Sequence, residues 1–263
     1  MTRVQQQPVA STAVSRRLRL GWAPDLKDHR DRHYPTHRAV KTPASVDLRD
    51  QLPECYDQGD LGSCTANAIG GALQFVQRRQ ALDLVMPSRL FIYYNEREME
   101  GSVDSDAGAR IRDGIKSVVN QGYCPESDWP YDVTKFAVRP SQRCYEEALL
   151  DQVTVYYRVS VRLSSMLHCL ASGFPFIFGI AVYESFFEAS SGDVPMPEAG
   201  ERAEGGHAML CVGYDQARRR FLFRNSWGNG WGDGTGHGTI PFEYLDSTDY
   251  GGDYWTIRQQ EIP

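Results

Sequence analysis

Gln58, Cys64, His207 and Asn225 have the residue types, and stand in the order, that thiol chemistry on a carbonyl requires. A cysteine near its ordinary pKa of about 8.5 is only a few per cent thiolate at neutral pH, so a nucleophilic thiol needs neighbours that stabilise its anion. His207 has the side chain to exchange that proton, and the Asn225 carboxamide would fix the imidazole tautomer and ring direction. Gln58 opens the run Gln58-Gly59-Asp60-Leu61-Gly62-Ser63-Cys64. From there its amide and the Cys64 N–H would hold a developing oxyanion. Such a set needs no metal and no organic cofactor, and none is expected.

The elements that must position these groups follow from periodicity. After Cys64, Ile69, Ala72, Leu73 and Val76 recur at three- and four-residue steps. They predict an amphipathic helix over 64–80 with the thiol in its first turn, where the helix dipole favours a thiolate. Further helices are predicted at 87–97 and 109–120. From 153 onward, β-branched and aromatic runs predict strands at 153–159, 176–183, 208–214, 221–225 and 254–258. The reading is an α+β chain with a helical half at about 46–150 carrying Cys64, a β-rich half at about 151–263 carrying His207 and Asn225, and a substrate cleft between them.

On these residues the chain resembles the papain family of cysteine peptidases. The Cys64-to-His207 separation of 143 residues falls in the roughly 130 to 150 of papain-like enzymes. The segment from Thr42 to Arg49 resembles the start of a mature papain-like domain, with Leu48 where Trp is usual. His207 to Tyr214 resembles the family's His strand, and Phe223 to Gly228 its Asn strand. Runs such as Gly122-Tyr123-Cys124-Pro125-Glu126 and Trp129-Pro130-Tyr131 resemble a bacterial subgroup. The resemblance covers about residues 42–263. It implies a papain-like two-lobed fold, with a helical left lobe and an antiparallel β-barrel-like right lobe, and a Cys-His-Asn endopeptidase with a Gln oxyanion hole. It further implies that Gly108, Gly206 and Trp231 meet substrate and that Trp227 shields the contact between His207 and Asn225. Three departures stand out: Thr65 replaces the usual Trp after the nucleophile, Leu61 replaces a Cys that forms a disulfide beside the active-site loop, and the Asn-Gly-Gly substrate shelf becomes Asp106-Ala107-Gly108. For Gly108 the competing reading is a helix-start glycine.

Composition bounds the rest. The 41% hydrophobic content is ordinary for a globular chain. The longest apolar stretch, near 174–183, is far short of the roughly 20 residues that span a bilayer, and the first residues lack the apolar core of a signal peptide. Location stays open between cytoplasm and non-classical export. Charge divides unevenly: residues 1–41 hold nine Lys or Arg and three Asp, a net +6, whereas the remainder holds 19 and 31, a net −12. Opposite signs favour docking of a basic N-terminal arm on the catalytic body, weakened by salt. Trp22 and Leu26 are its expected apolar anchors, and a propeptide-like arm across the cleft is the preferred reading over an ordinary N-terminal strap packed elsewhere; a mobile basic tail is the plain alternative to docking by charge.

Six cysteines less Cys64 leave an odd five. Cys124 and Cys144 are a possible pair, Cys169 and Cys211 read as reduced core residues, and Cys55 is unassigned. His29, His33 and His37 are spaced by four, but Pro35 interrupts any shared helix face, so solvated histidines are expected rather than a metal site. Gly228 to Gly238 alternate without the order of a nucleotide loop, and Arg218-Arg219-Arg220 reads as a solvated hairpin rather than a nucleic-acid patch. The expected partner is a peptide or protein substrate of a monomer, without nucleic acid or membrane. Acyl transfer to an amine and a silent peptide-binding module are the alternatives.

Overall fold

The computed structural model describes residues 19–35, 41–189 and 191–262. Helix α1 (Cys64–Arg79) is the axis of the molecule. The sequence predicts an amphipathic helix; instead every residue from Cys64 to Gln77 is buried. Small residues make that possible: a Cβ on Gly71 would lie 3.0 Å from the Arg224 guanidinium, and one on Gly70 would lie 3.4 Å from the Tyr56 ring. Helices α2 (Arg89–Glu100) and α3 (Ile111–Asn120) pack on its one side. The Ser88 hydroxyl caps α2 by accepting from Phe91 N–H at 3.1 Å, and Gly101, at φ +68°, ends it in the left-handed cap that glycine adopts without strain.

On the other side of α1 lies a mostly antiparallel sheet of β2 (Ser45–Asp47), β4 (Val153–Val159), β5 (Phe176–Tyr183), β6 (Ala203–Asp215), β7 (Arg220–Arg224), β8 (His237–Pro241) and β9 (Gly251–Gln260), in the order β4-β9-β5-β6-β7-β8, with β2 also on β6. The inner faces supply Phe176, Phe178, Phe221, Phe223 and Tyr254, whose rings meet edge-on or tilted at centroid distances of 5.7–6.5 Å. That burial drives the two halves onto one core. The α+β class and the two-lobed layout hold. The barrel-like description is looser than what is found, since the edge strands β4 and β8 do not pair with each other to close the sheet.

Two predicted boundaries move. The helix expected over 109–120 begins at Ile111, because Ala109–Arg110 is extended as β3 and pairs in parallel with Trp22–Ala23, strand β1 of the arm. Gly108 is therefore no helix start; it sits at φ +74°, where a Cβ would strike the Gly21 carbonyl at 2.1 Å. Of the arm's two expected anchors, one is different. Leu26 is 67% exposed, and Leu20 and Trp22 pack on the core instead. His37 and residues 1–18 lie outside the described residues. All six cysteines are buried thiols, and Cys124 and Cys144 share a small cluster with Phe91 and Ala148.

Candidate active site

Cys64 opens α1, so its sulfur sits at the positive end of the longest described helix. The loop before it is held by a device the sequence did not announce. Asp106 accepts from Gly62 N–H through both carboxylate oxygens, at 2.9 and 3.1 Å, and from the Tyr93 hydroxyl at 2.5 Å. A half-buried carboxylate thus fastens the loop where the resemblance had a disulfide, now lost with Leu61. Thr65 donates to Glu96, at 2.5 Å. Glu96 is fully buried, and burial pushes its carboxyl well above the usual range.

Strand β6 carries His207 and β7 leads into Asn225. Their contact is direct: His207 Nε2 lies 2.8 Å from Asn225 Oδ1, which also accepts from Ser226 N–H at 2.8 Å. Oδ1 accepts here, so Nε2 carries the hydrogen and Nδ1 is the basic nitrogen of the neutral ring. Trp227 lies against this pair, its indole stacked on the imidazole at 4.8 Å and 22°. Trp231 stacks on Phe186 at 5.9 Å and meets Trp227 edge-on at 5.6 Å, so it extends that aromatic wall. The Ala208 N–H reaches across from β6 to donate to Cys64 Sγ at 3.3 Å.

Gln58 is aimed by Ser226, whose hydroxyl donates to Oε1 at 2.5 Å. Its Nε2 donates to the Leu61 carbonyl at 2.9 Å and to the Arg19 carbonyl of the arm at 3.0 Å. Two residues on, Gly21 spans the cleft: its N–H donates to the Gly206 carbonyl at 2.9 Å, and its carbonyl accepts from Ala109 N–H at 2.8 Å. Both glycines expected to meet substrate, Gly108 and Gly206, thus touch the arm. Glycine is required on the arm too, because a Cβ on Gly21 would fall 1.8 Å from the Gly62 carbonyl.

With the arm in place the site is closed to water. Cys64 and His207 are both 0% exposed. Burial pushes the Cys64 thiol up to about 12, against the lowering effect of N–H donors from Ala208, Gly21 and Thr65. Burial also brings the His207 imidazole down to about 4, although the Asn225 bond favours its cation. His207 Nδ1 has no hydrogen-bond partner. The thiolate expected from the helix dipole is thus not the form this closed arrangement favours; desolvation outweighs the dipole.

Beyond the cleft the arm is latched by buried charge. Asp31 pairs with Arg112 at 2.5 Å and with Arg158 at 3.1 Å. Asp25 accepts from Arg112 N–H at 3.0 Å, from Trp255 Nε1 at 2.9 Å and from Arg158 at 3.2 Å. Asp253 completes the cluster against Arg158 at 2.7 Å. Among the residues that sequence reasoning missed, the carboxylates Asp106, Glu96, Asp25 and Asp31 had no legible signal, since single acidic residues in polar stretches read as surface.

Comparison with known proteins agrees with this geometry. Residues 42–243 match the family described as papain family cysteine protease. The crystal structure of xylellain, a cysteine protease from Xylella fastidiosa, is 42% identical and covers 91% of this chain and 96% of its own, at a TM-score of 0.86. An uncharacterised peptidase C1-like protein of Acanthamoeba polyphaga mimivirus is 42% identical over 230 residues, 83% of this chain and 73% of that protein. Digestive procathepsin L 3 of Tenebrio molitor shares the fold at 21% identity and a TM-score of 0.69 over 88% of this chain and 75% of its own. With matches that run through both lobes, the chain belongs to the papain family of cysteine proteases and is a cysteine peptidase.

Proposed function

We propose that the protein is an endopeptidase in which Cys64 is the nucleophile, His207 the acid and base, Asn225 its orienter and Gln58 an oxyanion donor, and that residues 19–35 hold it latent. The observation that carries this reading is the Arg19 carbonyl on Gln58 Nε2 at 3.0 Å. A main-chain carbonyl already lies on the donor assigned to the oxyanion.

With a substrate in place of the arm, Cys64 Sγ adds to the scissile carbonyl carbon as its proton passes to His207 Nδ1. Gln58 Nε2–H and Cys64 N–H hold the resulting oxyanion. The C–N bond breaks as His207 gives the proton to the leaving amine, which leaves a thioester. Water then attacks with His207 as base, the C–S bond breaks, and the acid product departs. Asn225 Oδ1 keeps the Nε2–H tautomer throughout, and stacked Trp227 keeps water off that bond.

The test compares hydrolysis of a mixed fluorogenic peptide library by the full chain, by the Gly21→Ala chain and by each with Cys64→Ala. An Ala at position 21 cannot sit on the Gly62 carbonyl, so it displaces the arm. The expected result is a rise of at least tenfold for Gly21→Ala and loss of turnover in both Cys64→Ala chains. Turnover that survives Cys64→Ala removes the assignment of the nucleophile; equal rates with and without Gly21→Ala remove the latency.

A further inference from the structure

Two buried donors on consecutive residues, Arg224 Nη1 and Asn225 Nδ2, find no acceptor on the protein. Both residues line one cavity between α1 and strands β6 and β7, together with Asn67, Gly71, Leu210 and Ser226, all of them buried. The room left for the centre of a water-sized particle is about 10 Å³, enough for one. A Cβ on Gly71 would lie 3.0 Å from the same Arg224 Nη1, so the guanidinium stands at the cavity wall. Asn225 turns Oδ1 to His207, and Nδ2 is the other end of that carboxamide.

The other buried arginines are answered: Arg89 by Glu126, Arg112 by Asp31, and Arg97 by the carbonyls of Tyr93, Val103, Ser105 and Phe136. Arg224 gives Nη2 to the Glu54 carbonyl and lies over the Tyr56 ring at 4.4 Å, and no carboxylate pairs with it among the described residues. Cys55 and His237 feel its charge without offsetting it, because burial raises the Cys55 thiol and brings the His237 imidazole down to about 4, so that both are neutral at neutral pH. A buried cation without a counterion is costly, and so is each stranded donor. Water would bring hydrogens that need acceptors of their own, and the carboxamide oxygen in the wall, Asn67 Oδ1, already takes Arg89 Nη1 at 3.1 Å. A monatomic anion meets the charge and both donors at once, and the cavity is too small for sulfate or phosphate. We propose that this cavity is a site for one chloride ion, which neutralises Arg224 and braces the Asn225 carboxamide from its Nδ2 end. The ion site stands apart from the peptidase reading above; the effect of the brace on turnover rests on it.

The experiment measures thermal unfolding of the full chain in sodium chloride, bromide and gluconate at one ionic strength of ~0.15 M. Chloride and bromide should raise the melting temperature by about 3 °C or more over gluconate, the shift expected of a tenfold excess over the dissociation constant. Arg224→Met removes the charge, and Gly71→Ala puts a methyl into the cavity while keeping the charge; each should abolish the difference. Circular dichroism verifies each fold, and the second variant decides the matter if the first does not fold. Crystals of the full chain grown in bromide should give an anomalous peak between Arg224 and Asn225. No such peak, as for a water in the cavity, or equal melting in all three salts overturns the site; a peak with equal melting means an adventitious ion only. The brace is read by turnover of a fluorogenic peptide in the Gly21→Ala chain, where chloride should raise kcat at least threefold over gluconate with KM unchanged, and should fail to do so once Gly71→Ala is added. An unchanged kcat removes the brace. No turnover in any salt strikes the peptidase reading, and the melting and diffraction results still decide the ion site.

Discussion

The Cys64 thiol at about 12 and the His207 imidazole at about 4 stay neutral together over the whole range between. Only a few hydrogen bonds oppose the burial that sets both values, so readmitting water should bring them toward each other. At pH 8 a thiol of pKa near 12 is roughly one part in 10⁴ thiolate, against about a quarter at the ordinary value. Alkylation of Cys64 by iodoacetamide, located by peptide mass, should therefore run more than a hundredfold slower in the full chain than in Gly21→Ala. Equal rates would mean that the arm does not control the thiol. Glu96 makes a second prediction at this scale. Burial favours its neutral form, and it accepts from Thr65, while its second oxygen has no partner. Glu96→Gln keeps the shape and the acceptor and should cost less than about 1 kcal/mol, whereas Glu96→Ala orphans the hydroxyl and opens a cavity at about 2–3 kcal/mol. Urea unfolding midpoints decide it, and a Gln as costly as the Ala would mean that the charge itself is needed. Cys64, His207, Asn225 and Gln58 were legible because chemistry restricts their types and order. Asp106 and Glu96 were not, because each gains its role only from burial against a loop or a helix start.

Among the elements, the strap and the strand edges it uses follow different rules from the helices. Helix α1 was found from its apolar spacing, yet its all-round burial was invisible, since a stripe at three- and four-residue steps says which face is apolar and not how much else covers the helix. Strand β3 was missed because two residues have no periodicity; it exists because the arm pairs with it. Asp25 gives the strap a pH dependence whose direction can be worked out. Burial, then the neighbouring Asp253, raises its carboxyl to about 6 when docked, against 3.8 for the ordinary group. The docked form therefore holds a proton that the undocked form releases, so this residue's contribution is full below about 4 and is lost as pH rises through about 6. The ratio of full-chain activity to Gly21→Ala activity cancels the pH dependence of catalysis itself. It should fall between pH 7 and pH 5, and Asp25→Asn should flatten it. A ratio that rises on acidification in the parent chain would assign the pH response to other groups.

Across the whole molecule, the net charges suggested that a basic arm docks on an acidic body, and the described contacts reverse the roles. At the latch the arm contributes the acids Asp25 and Asp31 and the body the bases Arg112 and Arg158. Among the described residues, only Arg19 with Asp106, at 4.0 Å and half open to solvent, follows the overall sign. Composition sums a segment, whereas docking depends on the few charges that become buried, and these feel salt much less than exposed ones. The two lobes and their order were legible because helical and strand periodicities fall in separate halves of the chain. The lobe contacts made through the arm were not, because each needs partners from three distant stretches. Arg112 stands on the helical lobe, Arg158 and Asp253 on the sheet, and the strap's carboxylates lie between them. When the strap leaves, Asp253 still neutralises Arg158, but Arg112 faces it without an acid of its own. The seam between the lobes then loses the acids that bridge it and keeps a guanidinium without its partners. On the proposed latency, release and wear are one event: the departure that opens the cleft should also start a clock on the enzyme's survival. Differential scanning calorimetry should show Gly21→Ala melting below the full chain, with Arg112→Gln in the Gly21→Ala background regaining part of the loss; a deeper fall would mean that Arg112 supports the seam on its own.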